Sequence, residues 1–174
     1  MEIKRLFDVV ASFFGLIILF PFLLLVAIII RIFMPGQAIF RQERAGRYGK
    51  PFVIYKFRTM VLDHGGSTVS IKGENRITTL GAFLRKYKID ELPELWNVLK
   101  GDMSLVGPRP DMPCYTEKLA GEEKKILELR PGITGPATME YSREEELLAD
   151  VEDPEKYNDE IIWPHKVRMN LEYY

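Results

Sequence analysis

Hydrophobic and polar positions are unevenly distributed along the chain. From Val9 to Ile30 there is no charged side chain, whereas the remainder alternates apolar and charged positions at short range. A helix over 9–30 is roughly 33 Å long, about the thickness of a bilayer's hydrocarbon core. Pro21 interrupts this run, and an interior proline removes one helical hydrogen bond and bends the helix. Basic residues flank both ends, with Lys4 and Arg5 before the run and Arg31, Arg41, Arg44 and Arg47 after it. Basic residues favour the cytoplasmic side, so this balance predicts a re-entrant, Pro21-broken helix that enters and leaves by one face, rather than a full span. Asp8, at the edge of the run, is expected to pair with Arg5 or with a basic residue of the domain, or else to stay solvated.

Beyond Met34-Pro35-Gly36, the β-branched and aromatic stretches 38–44 and 52–60 flank a glycine-bearing loop and predict a β-hairpin. Val61 to Asn75 reads as a polar loop. Leu80, Phe83 and Leu84 mark a short amphipathic helix over 78–87. A second helix is expected over 90–99, with Pro93 in its first turn and Gly101 at its stop. Further helices are expected over 116–129, after Asp153-Pro154, and over 161–174. The glutamate run 144–146 reads as a solvated face. The chain therefore divides into a membrane helix (1–34) and a catalytic domain (35–174), the whole being α+β, mainly helical, with one hairpin and several short amphipathic helices.

Composition narrows the chemistry. The net charge of -1 gives no reason to expect nucleic-acid binding. The single cysteine, Cys114, forms no internal disulfide, and two distant histidines, His64 and His165, do not make a zinc site. Charge is densest in Arg85–Pro110, which sets Asp90, Glu91, Glu94 and Asp102 among Arg85, Lys86, Lys88, Lys100 and Arg109. These are either helix-surface charges, with Asp90 a plain N-cap, or a phosphoryl-transfer site. Carboxylates at a helix start sit in the positive end of its dipole, where anions also bind. An ionised aspartate there can attack phosphorus, a neighbouring carboxylate can hold magnesium, and nearby cations can neutralise the transferred group. Gly107-Pro108-Arg109-Pro110 is a stiff turn that presents Arg109, either to a phosphate or to solvent. Lys56 and Arg58, two apart on the second strand, share a face that either lines the same site or meets water.

Arg85–Pro110, together with Ile54-Tyr55-Lys56-Phe57-Arg58-Thr59-Met60 and Arg130-Pro131-Gly132-Ile133-Thr134-Gly135, closely resembles the bacterial sugar transferases, the monotopic phosphoglycosyl transferases. The similarity extends from Lys4-Arg5-Leu6-Phe7-Asp8 to Asn170-Leu171-Glu172-Tyr173. It implies an enzyme on the cytoplasmic face of a bacterial plasma membrane, with magnesium as cofactor, a UDP-sugar donor and a polyprenyl phosphate acceptor. It implies that Asp90 attacks the phosphate bearing the sugar, that Glu91 is the metal ligand, and that Arg85, Arg109, Lys56 and Arg58 lie at basic positions near the substrate phosphates. Phe20 precedes Pro21 where family members often carry a small polar residue. Many members also continue beyond the position of Tyr174. Two rival readings stand beside this one: a one-step transferase with Asp90 as base or metal ligand, and a membrane scaffold for other glycan enzymes. The sugar, with 61–75 and 139–153 as candidate contacts, and the oligomeric state, a homodimer included, are left open.

Overall fold

The computed structural model describes residues 2–61 and 76–174; the loop expected over Val61–Asn75 falls almost wholly outside them. Helix α1 (Glu2–Phe33) is helical throughout, with Pro21 inside it, so the proline does not end the helix. Its missing N–H costs one bond of the ladder, and the surrounding apolar run keeps the rest. Among the described residues α1 alone is long and apolar enough to cross a membrane. Its aromatic and aliphatic side chains from Phe13 to Leu25 are largely exposed.

Both ends of α1 meet the domain. Near the C-terminal end, Val26, Ile30 and Met34 are buried against Phe57 and Leu84. Near the N-terminal end, Asp8 is buried and accepts from Ser104 Oγ at 2.7 Å and from Leu105 N–H at 3.2 Å, while Lys4 lies 3.5 Å away one turn earlier. Arg5 is not its partner. The Arg5 guanidinium donates instead to the carbonyls of Val98 and Leu99, at 2.7 and 3.0 Å. Those carbonyls lie in the last turn of a helix, where a cation is favoured.

The hairpin forms as expected. Strands β1 (Ile39–Ala45) and β2 (Pro51–Phe57) pair antiparallel, with Phe40 opposite Lys56 and Gln42 opposite Ile54. Helix α2 (Thr79–Lys86) is capped by Thr78 Oγ1, which accepts from Gly81 N–H at 2.9 Å. The expected helix over 90–99 is split: Ile89–Glu91 make a 3₁₀ turn, and α3 (Glu94–Lys100) follows, ended by Gly101 at φ 100°. Ile54, Val98 and Met103 close the core between hairpin and α3.

A second sheet is not foreshadowed by any periodicity. Strands β3 (Ser104–Val106) and β4 (Gly132–Thr134) pair in parallel, bringing Gly107-Pro108-Arg109-Pro110 against Arg130-Pro131-Gly132. Gly107 N–H donates to Thr134 O at 2.8 Å and Gly132 N–H to Pro108 O at 2.7 Å. A Cβ on Gly132 would lie 2.2 Å from Gly107 N, so only glycine permits this approach. Gly132→Ala is expected to cost roughly 1–3 kcal/mol by forcing the strands apart, read as a lower urea midpoint at unchanged m-value.

The C-terminal third is a series of short turns. Helix α4 (Pro113–Thr116) and a 3₁₀ stretch, Gly121–Glu128, replace the single helix expected over 116–129, because Gly121 at φ 53° breaks the run. Then come α5 (Pro136–Glu140), α6 (Glu144–Ala149) and α7 (Pro154–Tyr157, capped by Asp153), and a π-helical turn over Asn158–Ile162 leads into α8 (Trp163–Tyr173). Leu119, Ile126 and Val167 pack this layer.

Candidate active site

Lys88, in the left-handed region at φ 55°, reverses the chain between α2 and the 3₁₀ turn and turns Asp90 and Glu91 inward. Asn97 fixes α3 on the hairpin. Fully buried, it accepts from Tyr55 N–H at 3.1 Å and donates to Val53 O at 2.7 Å, taking the place of a neighbouring strand beside β2. Asp90, Glu91 and Glu94 are thereby carried under Lys56, with 8%, 6% and 2% of their surfaces exposed. Asp90 is therefore not an exposed N-cap.

Glu91 is the hub. Its Oε1 accepts from Lys56 Nζ at 3.0 Å and from Arg109 Nη2 at 2.6 Å. Lys56 Nζ also lies 3.0 Å from Glu94 Oε1. Arg109 reaches Glu91 because the Gly107–Pro110 turn is pinned to β4. Asp90 differs: its Oδ1 is buried with no hydrogen-bond partner among the described residues. Such an atom is costly to leave unmade, and sites of this kind call for a functional explanation.

The electrostatics separate the carboxylates. Burial would push Glu91 up, but the charges of Arg109 and Lys56 and the Arg109 hydrogen bond outweigh it, holding Glu91 well below the usual carboxylate range. Burial pushes Asp90 up, the Glu91 charge adds to this, and Lys56, Arg85 and Lys88 oppose it. Glu94 is also raised by burial, against Lys56. Adjacent carboxylates pushed in opposite directions are a mark of functional sites.

Not every basic residue expected near the site joins this cluster. Arg85 acts on Asp90 through its field but is ion-paired with Glu145 of α6. Arg58 is buried, and its guanidinium donates to Met34 O and to Pro35 O (3.0 Å), closing the C-terminal end of α1. It does not share Lys56's direction because β2 ends at Phe57, and with it the alternation of faces. Of the glutamates read as a solvated face, Glu144 binds Lys166 Nζ at 2.7 and 2.6 Å and Glu145 binds Arg85, so that reading is overturned for both. Asn97 was not singled out from sequence, and Glu145 was read only as part of a solvated face. Their roles depend on partners far along the chain, as in Glu145 to Arg85 at a separation of 60.

An apolar helix long enough to cross a membrane is tied at both ends to an α+β domain, and that domain carries a buried carboxylate cluster held by Lys56 and Arg109. The profile of the bacterial sugar transferases matches residues 1–174. The chain is 47% identical over 124 residues to a Bacillus subtilis (strain 168) protein provisionally named undecaprenyl-phosphate N-acetylgalactosaminyl 1-phosphate transferase, covering 70% of this chain and 69% of that one. It is 41% identical over 152 residues to the exopolysaccharide production protein PSS of Rhizobium leguminosarum bv. phaseoli, covering 80% and 74%. It is 45% identical over 139 residues to the UDP-glucose:undecaprenyl-phosphate glucose-1-phosphate transferase of Caulobacter vibrioides, covering 77% of this chain and 52% of that one. The chain belongs to the bacterial sugar transferase family and is an enzyme of the sugar-phosphate transferase type.

Proposed function

We propose that the enzyme moves a sugar 1-phosphate from a UDP-sugar to polyprenyl (undecaprenyl) phosphate, releasing UMP, as the first membrane step of glycan biosynthesis. The relatives' names support donor and acceptor. The observation that carries the chemistry is Asp90 Oδ1, buried and with no hydrogen-bond partner among the described residues, beside the charges of Lys56, Arg85 and Lys88.

In the first step an Asp90 carboxylate oxygen attacks the phosphorus bearing the sugar. The bond from that phosphorus to the oxygen of the uridine-side phosphate breaks, and UMP leaves. In the second step an oxygen of polyprenyl phosphate attacks the same phosphorus, the bond to Asp90 breaks, and the carboxylate is regenerated. The raised pKa of Asp90 would also suit a one-step reaction with Asp90 as base. The acceptor, however, is an anionic phosphate monoester at neutral pH, with a second pKa near about 6, and offers little for a base to remove. Lys56 and Arg109 are held by Glu91 where they can neutralise charge on the transferred group.

The residues fit a magnesium ion. An ion of this kind takes one or two protein carboxylates and completes its shell with water and substrate phosphate. Glu91, kept ionised by its cations, would be the protein's contribution. When bound, the ion would neutralise diphosphate charge. Magnesium-dependent UMP release across a panel of UDP-sugars, with polyprenyl phosphate present, tests the reaction; no release with any donor would leave a scaffold as the better reading.

We also propose that α1 is re-entrant and the domain cytoplasmic. In support, Lys4 and Asp8 are tied to β3, and Ile30 and Met34 to the hairpin and α2, so both ends of α1 serve one domain. A full span would separate those ends by roughly 30 Å of hydrocarbon. In a Cys114→Ser background, Glu2→Cys should resist impermeant thiol reagents in intact cells and react after lysis. Labelling from outside would establish a span. Pro21→Leu should shift the segment toward spanning.

A further inference from the structure

The site's three principal cations are all neutralised, but not alike. Lys56 and Arg109 are held by Glu91, inside the cluster. Arg85 is held by Glu145, which comes from a separate element, α6, and lies outside the carboxylate cluster. The Arg85 side chain is 19% exposed and that of Glu145 is 37% exposed, so the pair stands at the mouth of the site rather than in its floor. The two cannot be an isolated surface pair, because the Arg85 charge reaches Asp90. Glu144, the preceding residue, binds Lys166 and acts on Arg109 through its field. The first turn of α6 therefore sets one carboxylate on a guanidinium of the site, Glu145 on Arg85, and ties the neighbouring one, Glu144, to Lys166. Leu148, buried in the same short helix, holds it there.

A carboxylate on a guanidinium occupies the geometry a phosphate would take, since both anions accept from its paired N–H groups. If Asp90 attacks the sugar-bearing phosphorus, as proposed above, the donor diphosphate must lie within the reach of Arg85's field. We infer that Glu145 is a resident competitor for Arg85, which the diphosphate of the donor displaces on binding and which recaptures Arg85 when UMP departs. Glu145 thus weakens nucleotide binding and favours product release, and α6 is freed at its first turn each time the site fills. This inference rests on the nucleotide-donor reading.

The test is calorimetric titration of UDP, with magnesium chloride, into the detergent-solubilised full chain. Glu145→Gln is expected to tighten UDP binding roughly 2- to 5-fold, the scale of a partly exposed ion pair. Glu145→Ala should act in the same direction. In an Arg85→Met background the Glu145→Gln gain should vanish, because there is nothing left to compete for. Unchanged or weaker UDP binding in both Glu145 variants would overturn the inference and make the pair a structural tie between α2 and α6. A gain that persists without Arg85 would also overturn it, reducing the effect to general charge. Absence of UDP binding by the wild-type chain would instead remove the nucleotide-donor reading and the inference with it.

Discussion

Asp90→Asn is expected to abolish transfer, with a loss of at least about a thousandfold, the scale seen when a nucleophile is removed. Incubated with UDP-sugar and no acceptor, the wild-type enzyme should release up to one equivalent of UMP per site. It should then carry the sugar phosphate as an acyl phosphate, seen as a mass increase and removed by hydroxylamine. The amide of Asp90→Asn cannot be the attacking anion, so both signals should disappear. Asp90→Glu should lose on the order of a hundredfold, because displacing the oxygen by about 1 Å spoils in-line attack. The same substitution should stabilise the fold at neutral pH. The folded pKa of Asp90 is raised by burial and by Glu91. An acid with a raised folded pKa loses stability as pH climbs from its unfolded value through its folded one, and the loss is complete above that. Asp90→Asn removes it, so Tm at pH 7 should rise while activity falls, a trade that a merely structural aspartate would not give. Ternary-complex kinetics, with no adduct and no UMP until the lipid phosphate is added, would sink the nucleophile and leave Asp90 as base or metal ligand.

What could be read from sequence was what is local. The hairpin followed from β-branched and aromatic stretches around a glycine-bearing loop, α2 from Leu80 and Leu84, and the end of α3 from Gly101, because each rests on neighbours within a few residues. The β3–β4 pair was invisible, since three-residue strands carry no usable period. Its signal lay in the glycines 107 and 132, whose need appears only when two distant backbones touch. Gly121 was the missed break in 116–129. Arg58 shows the limit of the strand rule, which placed it with Lys56 although the strand stops one residue earlier. The cluster itself was legible because Asp90, Glu91 and Glu94 are within five positions and the turn around Arg109 is stiff. Its order was not, since no local rule says that Arg109 chooses Glu91, that Arg85 goes to Glu145, or that Asp90 is left alone. Those choices belong to packing: Asn97 seats α3 against the hairpin, and the β3–β4 contact aims the turn.

Glu91→Gln is expected to lower kcat/KM by about 10²–10³, the scale of losing one preorganised electrostatic contact. The carboxylate does two things that an amide cannot. It neutralises Lys56 and Arg109 through one oxygen, at 3.0 and 2.6 Å, and on the proposed mechanism it offers an ionised group to magnesium. Excess magnesium should recover part of the loss if metal binding is what the amide weakens, and wild-type turnover should cease in excess EDTA; full turnover there would rule out the metal role. The pH profile separates Glu91 from Asp90. Glu91 is held well below the usual carboxylate range by Arg109 and Lys56, so it stays ionised throughout the working range and cannot produce the acid limb of activity. On the proposed mechanism that limb belongs to Asp90, whose ionised form would attack and whose pKa is raised. It should therefore fall above the pH of an ordinary aspartate. Removing the Glu91 charge takes away one of the causes of that rise, and Lys56, which already opposes it, is no longer shared with Glu91. The acid limb of the residual Glu91→Gln activity should thus move to lower pH, even as the maximum falls. An acid limb that stays in place would mean that Asp90 is not the group being titrated, whatever the size of the loss.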